Sequence, residues 1–534
     1  MTRLKGWRGR LGLAGLALAA GLAASAGTPG KAEAGGTLIW AMPAEMGLYD
    51  PHVACGWLTK NVTHMIFDGL VELDLTDPNA TYAKLRPALA EKWEISDDGT
   101  VYTFHLRKDV KFHDGTPFNA EVAKWNYDRF SNDKAPHYNK QANAFLGYYA
   151  RWIASSEVVD EFTFKVTLKE ANYEWLQSGQ SSCGQPEMVS PAAREKYGDE
   201  ALPLHPIGTG PFVFVEREQN VKAVIERNPN YWGTPPKLDR LIVRPMQDPS
   251  TRLSALRAGE VNMVTEPPWD EIEGLVGEGF TLLTQPNVPS LWYAQFNLKN
   301  EALKDPRVRK AINMAINRDE LAKQIFKGTA RGEYGMLAAG NFAYDAKFQP
   351  FGYDPEQAKK LLAEAGFKEG TEIEFDLFDY GWGEQWEKWV QRDLKKVGIN
   401  VKLNKMEWIS YLGKWLQGMQ NPTAMNSMGW GWSVPLWTTL VTRCDHQAPN
   451  GWNMGAYCND KVDALYNEAR KTRDEAKATE LYRQANQIVM GEDAAFLPVV
   501  SYYNPILLAP NVTGFVNAQE NWYDFTLVSV EEKK

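Results

Sequence analysis

The chain has 534 residues and carries 58 Lys and Arg against 67 Asp and Glu, a formal net charge of −9. Five of those basic residues and one acidic residue lie in 1–34, so the remainder holds 53 against 66, a net charge of −13. That balance excludes nucleic acid and anionic membrane surfaces as partners, since both require basic surface. Roughly 500 residues also exceed what one core holds, which predicts two or three domains.

Arg3, Lys5, Arg8 and Arg10 form a basic start, residues 11–24 an apolar run, and Ala32-Glu33-Ala34 a small-x-small site. This is the layout of a secretory signal peptide, cleaved near Ala34. The apolar run is too short for a membrane span, which takes about 20 residues. Export makes disulfides the expectation for Cys55, Cys183, Cys444 and Cys458. Cys444 and Cys458 would close a short loop and are the predicted pair. Sequence does not decide whether Cys55 and Cys183 pair.

Thr37-Leu38-Ile39-Trp40 predicts a buried strand, and Tyr49-Asp50-Pro51 a loop. The turn Asp97-Asp98-Gly99 opens onto a strand at Val101–Leu106. Residues 119–130 have a helical pattern. At 162–168, Phe162, Phe164, Val166 and Leu168 alternate with Thr163, Lys165 and Thr167, which predicts a half-buried strand. A tight turn at 207–212 leads into a strand at 213–217. Asp305-Pro306 begins helical sequence that extends to 327. Asp354 is a predicted N-cap with Pro355 in the first turn, and Gly366 ends that helix. Residues 384–397 and 474–491 are also helical. Strands and helices mix along the whole chain, so an α/β fold with parallel or mixed sheets is expected.

Catalytic motifs are missing. There is no G-x-x-x-x-G-K, H-E-x-x-H or G-x-S-x-G. The seven histidines, His52, His64, His105, His113, His137, His205 and His446, are never three or four residues apart, so no helical metal pair exists. Phe112-His113-Asp114-Gly115-Thr116-Pro117 reads as a hairpin-type turn rather than a catalytic pair. The expectation is no catalytic residue, no metal and no cofactor, with an unrecognised hydrolase as the disfavoured alternative.

Several segments, in order, resemble the dipeptide/oligopeptide/nickel-binding type of extracellular solute-binding proteins, family 5. The first is Pro87-Ala88-Leu89-Ala90-Glu91-Lys92-Trp93-Glu94-Ile95-Ser96-Asp97-Asp98-Gly99. It continues through Tyr102-Thr103-Phe104-His105-Leu106-Arg107 and Val110-Lys111-Phe112-His113-Asp114-Gly115-Thr116-Pro117. Gly208-Thr209-Gly210-Pro211-Phe212, Arg227-Asn228-Pro229-Asn230-Tyr231-Trp232, and Val308-Arg309-Lys310-Ala311-Ile312-Asn313 continue the likeness, as does Tyr353-Asp354-Pro355. The resemblance implies a periplasmic-binding-protein-like α/β fold of class II, type C: two hinged lobes plus an inserted domain. Domain I would comprise 35–70, 207–288 and 500–534, domain II 71–206, and domain III 289–499. It also implies a periplasmic, monomeric component of an ABC transporter, with a small-molecule ligand and membrane permease subunits as partners.

In peptide-binding members, an aspartate after a Gly-Trp segment pairs with the peptide amino terminus. The matching stretch here is Met428-Gly429-Trp430-Gly431-Trp432-Ser433, which puts Ser433 in the aspartate's place. The region matching the carboxylate-binding arginine, 373–386, contains no Lys or Arg. Both charged anchors are therefore expected to be missing. Aromatic residues are dense instead: Trp382, Trp386 and Trp389, then Trp408, Tyr411 and Trp415, then Trp430, Trp432, Trp437 and Trp452. Flat rings suit sugar faces, aromatic ligands or quaternary ammonium groups. Trp386 and Trp389, three apart on a predicted helix, are read as core. The candidate ligand residues are Trp430, Gly431, Trp432 and Ser433, with Gly431 expected to admit the ligand to the backbone. Gly56 and Trp57 would form the opposite wall. The expected ligand lies in the peptide, oligosaccharide or opine range and leans to a neutral or weakly charged non-peptide, with di- or oligopeptides as the alternative. A nickel-chelate or haem carrier ranks lower.

Overall fold

A strand that is apolar on both faces needs neighbours on both sides. Thr37–Met42 has them: it lies parallel to Arg240–Pro245 and to Met263–Thr265. Leu38, Trp40, Ala41 and Met42 are completely buried there. The sheet they centre on has seven strands, in the order Thr281–Leu283, Ile506–Leu508, Met263–Thr265, Thr37–Met42, Arg240–Pro245, Lys222–Arg227, Phe212–Glu218. Trp40 packs against Tyr523 and Phe525 from the far end of the chain. Our computed structural model describes residues 35–531 except 46, 181, 379–383, 432 and 450. The expected signal peptide, Trp382 and Trp432 lie outside the described residues. Among the described residues no helix is long and apolar enough to cross a membrane.

The alternating segments make a separate four-stranded antiparallel sheet, Ala90–Ile95, Val101–Leu106, Thr163–Leu168, Ile153–Asp160. Phe104 and Phe164 are cross-strand partners and stack at 6.2 Å. Their inner face is closed by Ala120–Ser131 and Lys140–Ala150. Asn119 and Asn139 cap these helices through their side chains. His113-Asp114-Gly115 is a turn: the Phe112 N–H donates to Thr116 O at 2.8 Å, and Gly115 adopts a φ of +84°.

A six-stranded mixed sheet forms the second lobe. Its order is Ala330–Gly332, Phe496–Tyr502, Leu291–Phe296, Thr423–Trp430, Glu372–Phe378, Asn400–Met406. Pro306–Ala315 starts at Asp305, whose carboxylate accepts from Arg307 N, and Pro355–Glu364 starts at Asp354. The predicted run 306–327 is two helices, because Asn317 interrupts it and caps Arg318–Gln324. Trp386 and Trp389 sit in the core, on the helix Gln385–Lys396. The chain crosses between the two large sheets after Leu283 and again after Tyr502. Phe496–Tyr502 belongs wholly to the second sheet, so the last crossing falls beyond residue 500. The crossings touch: Gln285 N donates to Tyr503 O at 2.7 Å, and Tyr503 N donates to Thr329 O at 2.8 Å.

Candidate functional site

Crevices in open α/β sheets form beyond the carboxyl ends of strands. Thr423–Trp430 is a central strand whose first six residues are buried, so the chain emerges at Gly429 and Trp430. The half-buried Trp430 ring meets Trp452 edge-on at 5.1 Å, and Trp452 meets Trp415 at 4.9 Å. Trp452 rides on the loop closed by the Cys444–Cys458 disulfide. A covalent loop thus backs the aromatic wall. Gly431 corrects one expectation. A Cβ there would fall 1.7 Å from the Pro289 carbonyl oxygen, so the close approach the glycine permits is that of the crossing segment.

Ser433 is buried, and its carbonyl accepts from Phe342 N at 3.0 Å. Its hydroxyl faces Glu520 of the first lobe, which is only 2% exposed. Burial pushes the Glu520 carboxyl up to about 8, and the Ser433 hydroxyl and the Lys60 ammonium pull against that rise. An acidic side chain, Glu520, therefore stands opposite Ser433 from the other lobe. Glu520 lies in the polar, aromatic tract Gln519-Glu520-Asn521-Trp522-Tyr523, which has no periodicity that would single it out.

The first lobe also contributes the helix Trp57–Ile66. Gly56 precedes it with φ +111°, in the region that favours glycine, and a Cβ there would meet nothing within 4 Å. The Cys55–Cys183 disulfide fixes this entry, and the Gly56 N–H donates to Ser182 O at 2.8 Å. Trp57 lines a small hollow with Thr265, Tyr502, Asn504 and Tyr523, at the crossing between the sheets. Lys60 lies one turn further along. It is 3% exposed, its Nζ is 2.5 Å from Glu187 Oε1, and it sits 5.5 Å from the Trp522 ring centroid. Neither Lys60 nor Glu187 was singled out by the sequence, because each looks like an ordinary surface charge until its partner is known.

A second acid is buried beneath the same wall. Glu387 accepts from Ser427 Oγ at 2.8 Å, and burial pushes it up to about 8. An acid with a raised pKa binds more protons in the folded state, so stability falls as pH rises from the ordinary 4.5 toward 8. His52, His64 and His446 are held at about 4 by burial and oppose this trend below 6.5. The window from 6.5 to 8 is free of them. Thermal unfolding followed across it should show the midpoint falling, with each acid contributing up to about 1.4 kcal/mol per pH unit. Glu387→Gln should flatten the slope, and an unchanged slope would refute the assignment.

The geometry matches known proteins. Residues 84–450 match the family model for bacterial extracellular solute-binding proteins, family 5 Middle. The chain is 30% identical over 526 residues to the glutathione-binding protein GsiB of Escherichia coli (strain K12), covering 97% of this chain and 98% of that protein. The fold aligns with the ABC transporter-associated periplasmic binding protein DppA from Helicobacter pylori in complex with peptide STSA. That match has a TM-score of 0.81 at 26% identity and covers 93% of this chain and 98% of the other. It aligns also with the PBP AgaA from A. tumefacien in complex with agropinic acid, with a TM-score of 0.78 at 25% identity, covering 93% and 99%. Two large sheets joined by paired crossings, with an inserted antiparallel domain, are the periplasmic-binding-protein fold of this class. The chain belongs to the bacterial extracellular solute-binding proteins, family 5.

Proposed function

We propose that this protein is the periplasmic substrate-binding component of an ABC importer. It takes a small solute between the two lobes and presents the closed form to the membrane permease. The observation that carries this reading is the facing of Ser433 and Glu520, polar side chains from opposite lobes buried against each other. Residues 35–70, 207–288 and 503–534 act as one lobe and 289–502 as the other, with 71–206 inserted. Closure is a hinge motion about the paired crossings. The protein works as a monomer and carries out no chemistry on its cargo.

The ligand is a neutral or weakly charged solute of peptide or opine size, held against Trp430 and Trp432 with Gly56 and Trp57 opposite. The names of the relatives support that size: glutathione for GsiB, the peptide STSA for DppA, agropinic acid for AgaA. A thermal-shift screen over peptides, glutathione, opines, sugars and nickel chelates tests the function. A ligand at a hundred times its Kd stabilises the fold by about 2.7 kcal/mol. Turnover of a solute, or a flat response to the whole set, would overturn the reading. Trp430→Ala should weaken the ligand found by about 1–3 kcal/mol, from the stacking area lost, and lower the ligand-free stability by about 1 kcal/mol through the lost contact with Trp452. Equal affinity in calorimetry would make the aromatic wall purely structural.

A further inference from the structure

We propose that Glu520 anchors a cationic group of the ligand, an ammonium or a guanidinium, from the first lobe, where Ser433 leaves the second lobe without a charge. This rests on the solute-binding reading above and narrows it to weakly charged ligands that carry a cation.

The first support is an unmet hydrogen bond. Glu520 Oε1 is buried and has no hydrogen-bond partner among the described residues. A buried carboxylate without a partner is costly, and a fold tolerates that cost where a ligand supplies the missing donor. The second support is the charge count. Among the described residues Lys60 is the cation that acts on Glu520, but its Nζ is committed to Glu187 at 2.5 Å. Glu187 Oε2 is buried without a partner among the described residues as well. If both acids were ionised they would share one ammonium, so burial holds Glu520 toward its protonated form, and a second ammonium would let it ionise. The Ser433 hydroxyl adds dipole and no charge.

The third support is preorganisation. The residues beside Glu520 are tied down while its own Oε1 is not. Gln519 Nε2 donates to Asp77 O at 2.8 Å and to Ala80 O at 2.9 Å. Asn61 Nδ2 donates to Asn521 O at 2.8 Å, and Tyr523 N donates to Asn61 Oδ1 at 3.1 Å. An acid held in place before the ligand arrives binds a cation with little ordering cost.

Isothermal titration calorimetry on the mature protein tests this. The probes are glutathione and the tetrapeptide Ser-Thr-Ser-Ala, each with a free and with an acetylated amino terminus, together with putrescine, maltotriose and sorbitol. A free-amine probe should bind. Acetylation and Glu520→Gln should each weaken it about tenfold or more, as expected for a charge-assisted hydrogen bond. Combined, they should cost no more than either alone. Glu520→Asp should keep part of the affinity. Glu520→Gln is isosteric with the protonated acid that burial favours, so its unfolding temperature should not fall, which checks that it is folded. Equal binding of free and acetylated probes refutes the anchor, as does Glu520→Gln binding the amine like the parent. An uncharged probe binding the parent while every amine fails refutes the anchor and leaves the solute-binding reading intact. If no probe binds the parent, the solute-binding reading fails and the anchor falls with it.

Discussion

Arg129→Met should lower the unfolding free energy by about 3–5 kcal/mol, the cost of breaking a buried ion pair from one side. Arg129 is fully buried on the helix Ala120–Ser131 of the inserted domain. Its Nη2 donates to Asp50 Oδ2 at 2.6 Å, and its Nη1 donates to Asp50 Oδ1 at 3.1 Å and to His52 Nδ1 at 3.0 Å. Asp199 Oδ1 takes a further bond at 3.2 Å. Burial pushes the Asp50 carboxyl up, and the Arg129 guanidinium more than offsets this, so the carboxyl stays below its ordinary range. Without Arg129, a carboxylate 1% exposed has lost its cation. Asp50 precedes the first-lobe wall and Arg129 stands in the insertion, so the pair holds the two together. Removing both charges, in Arg129→Met with Asp50→Leu, should recover much of the loss, because desolvating the pair was itself costly. Urea unfolding followed by circular dichroism measures both variants. A single-variant loss under about 1 kcal/mol would show that the pair does not hold the domains.

Replacing Cys55 and Cys183 together by serine should cost about 5 kcal/mol, against about 3 for the Cys444 and Cys458 pair. The first bridge spans 128 residues and the second 14, and a longer closed loop removes more entropy from the unfolded chain. The first bridge also joins the cleft entry at Gly56 to the insertion. Its loss should therefore weaken ligand binding as well as stability, whereas loss of the second should act through Trp452 on the aromatic wall. Urea titrations of both double variants would test the order, and the reverse order would show that loop length does not set it.

Much of the fold is legible locally. Thr37–Met42 reads as a buried strand because its own residues are apolar, and 162–168 reads as half-buried because its residues alternate. Asp305-Pro306 and Asp354-Pro355 announce helix starts because a cap needs only residues within one turn. The segments between Pro87 and Pro117 carry the family likeness, and the matched region 84–450 agrees with it. Short-range chemistry sufficed for each of these, and none identified what faces what.

The partners came from the tertiary structure alone. Arg129 finds Asp50 at a separation of 79 residues, and Cys55 finds Cys183 at 128. Ser433 and Glu520 meet from different lobes. Nothing local marks such pairs, because a charge or a thiol looks the same whether its partner is water or a distant segment. Gly431 shows the same limit: the sequence announces room for a close approach, and only packing reveals that Pro289 fills it. By itself the sequence determined the elements, the family and the aromatic character of the wall, since these depend on each segment's own composition. The buried charge balance of the cleft was decided by the tertiary structure, since desolvation and pairing exist only once the lobes come together.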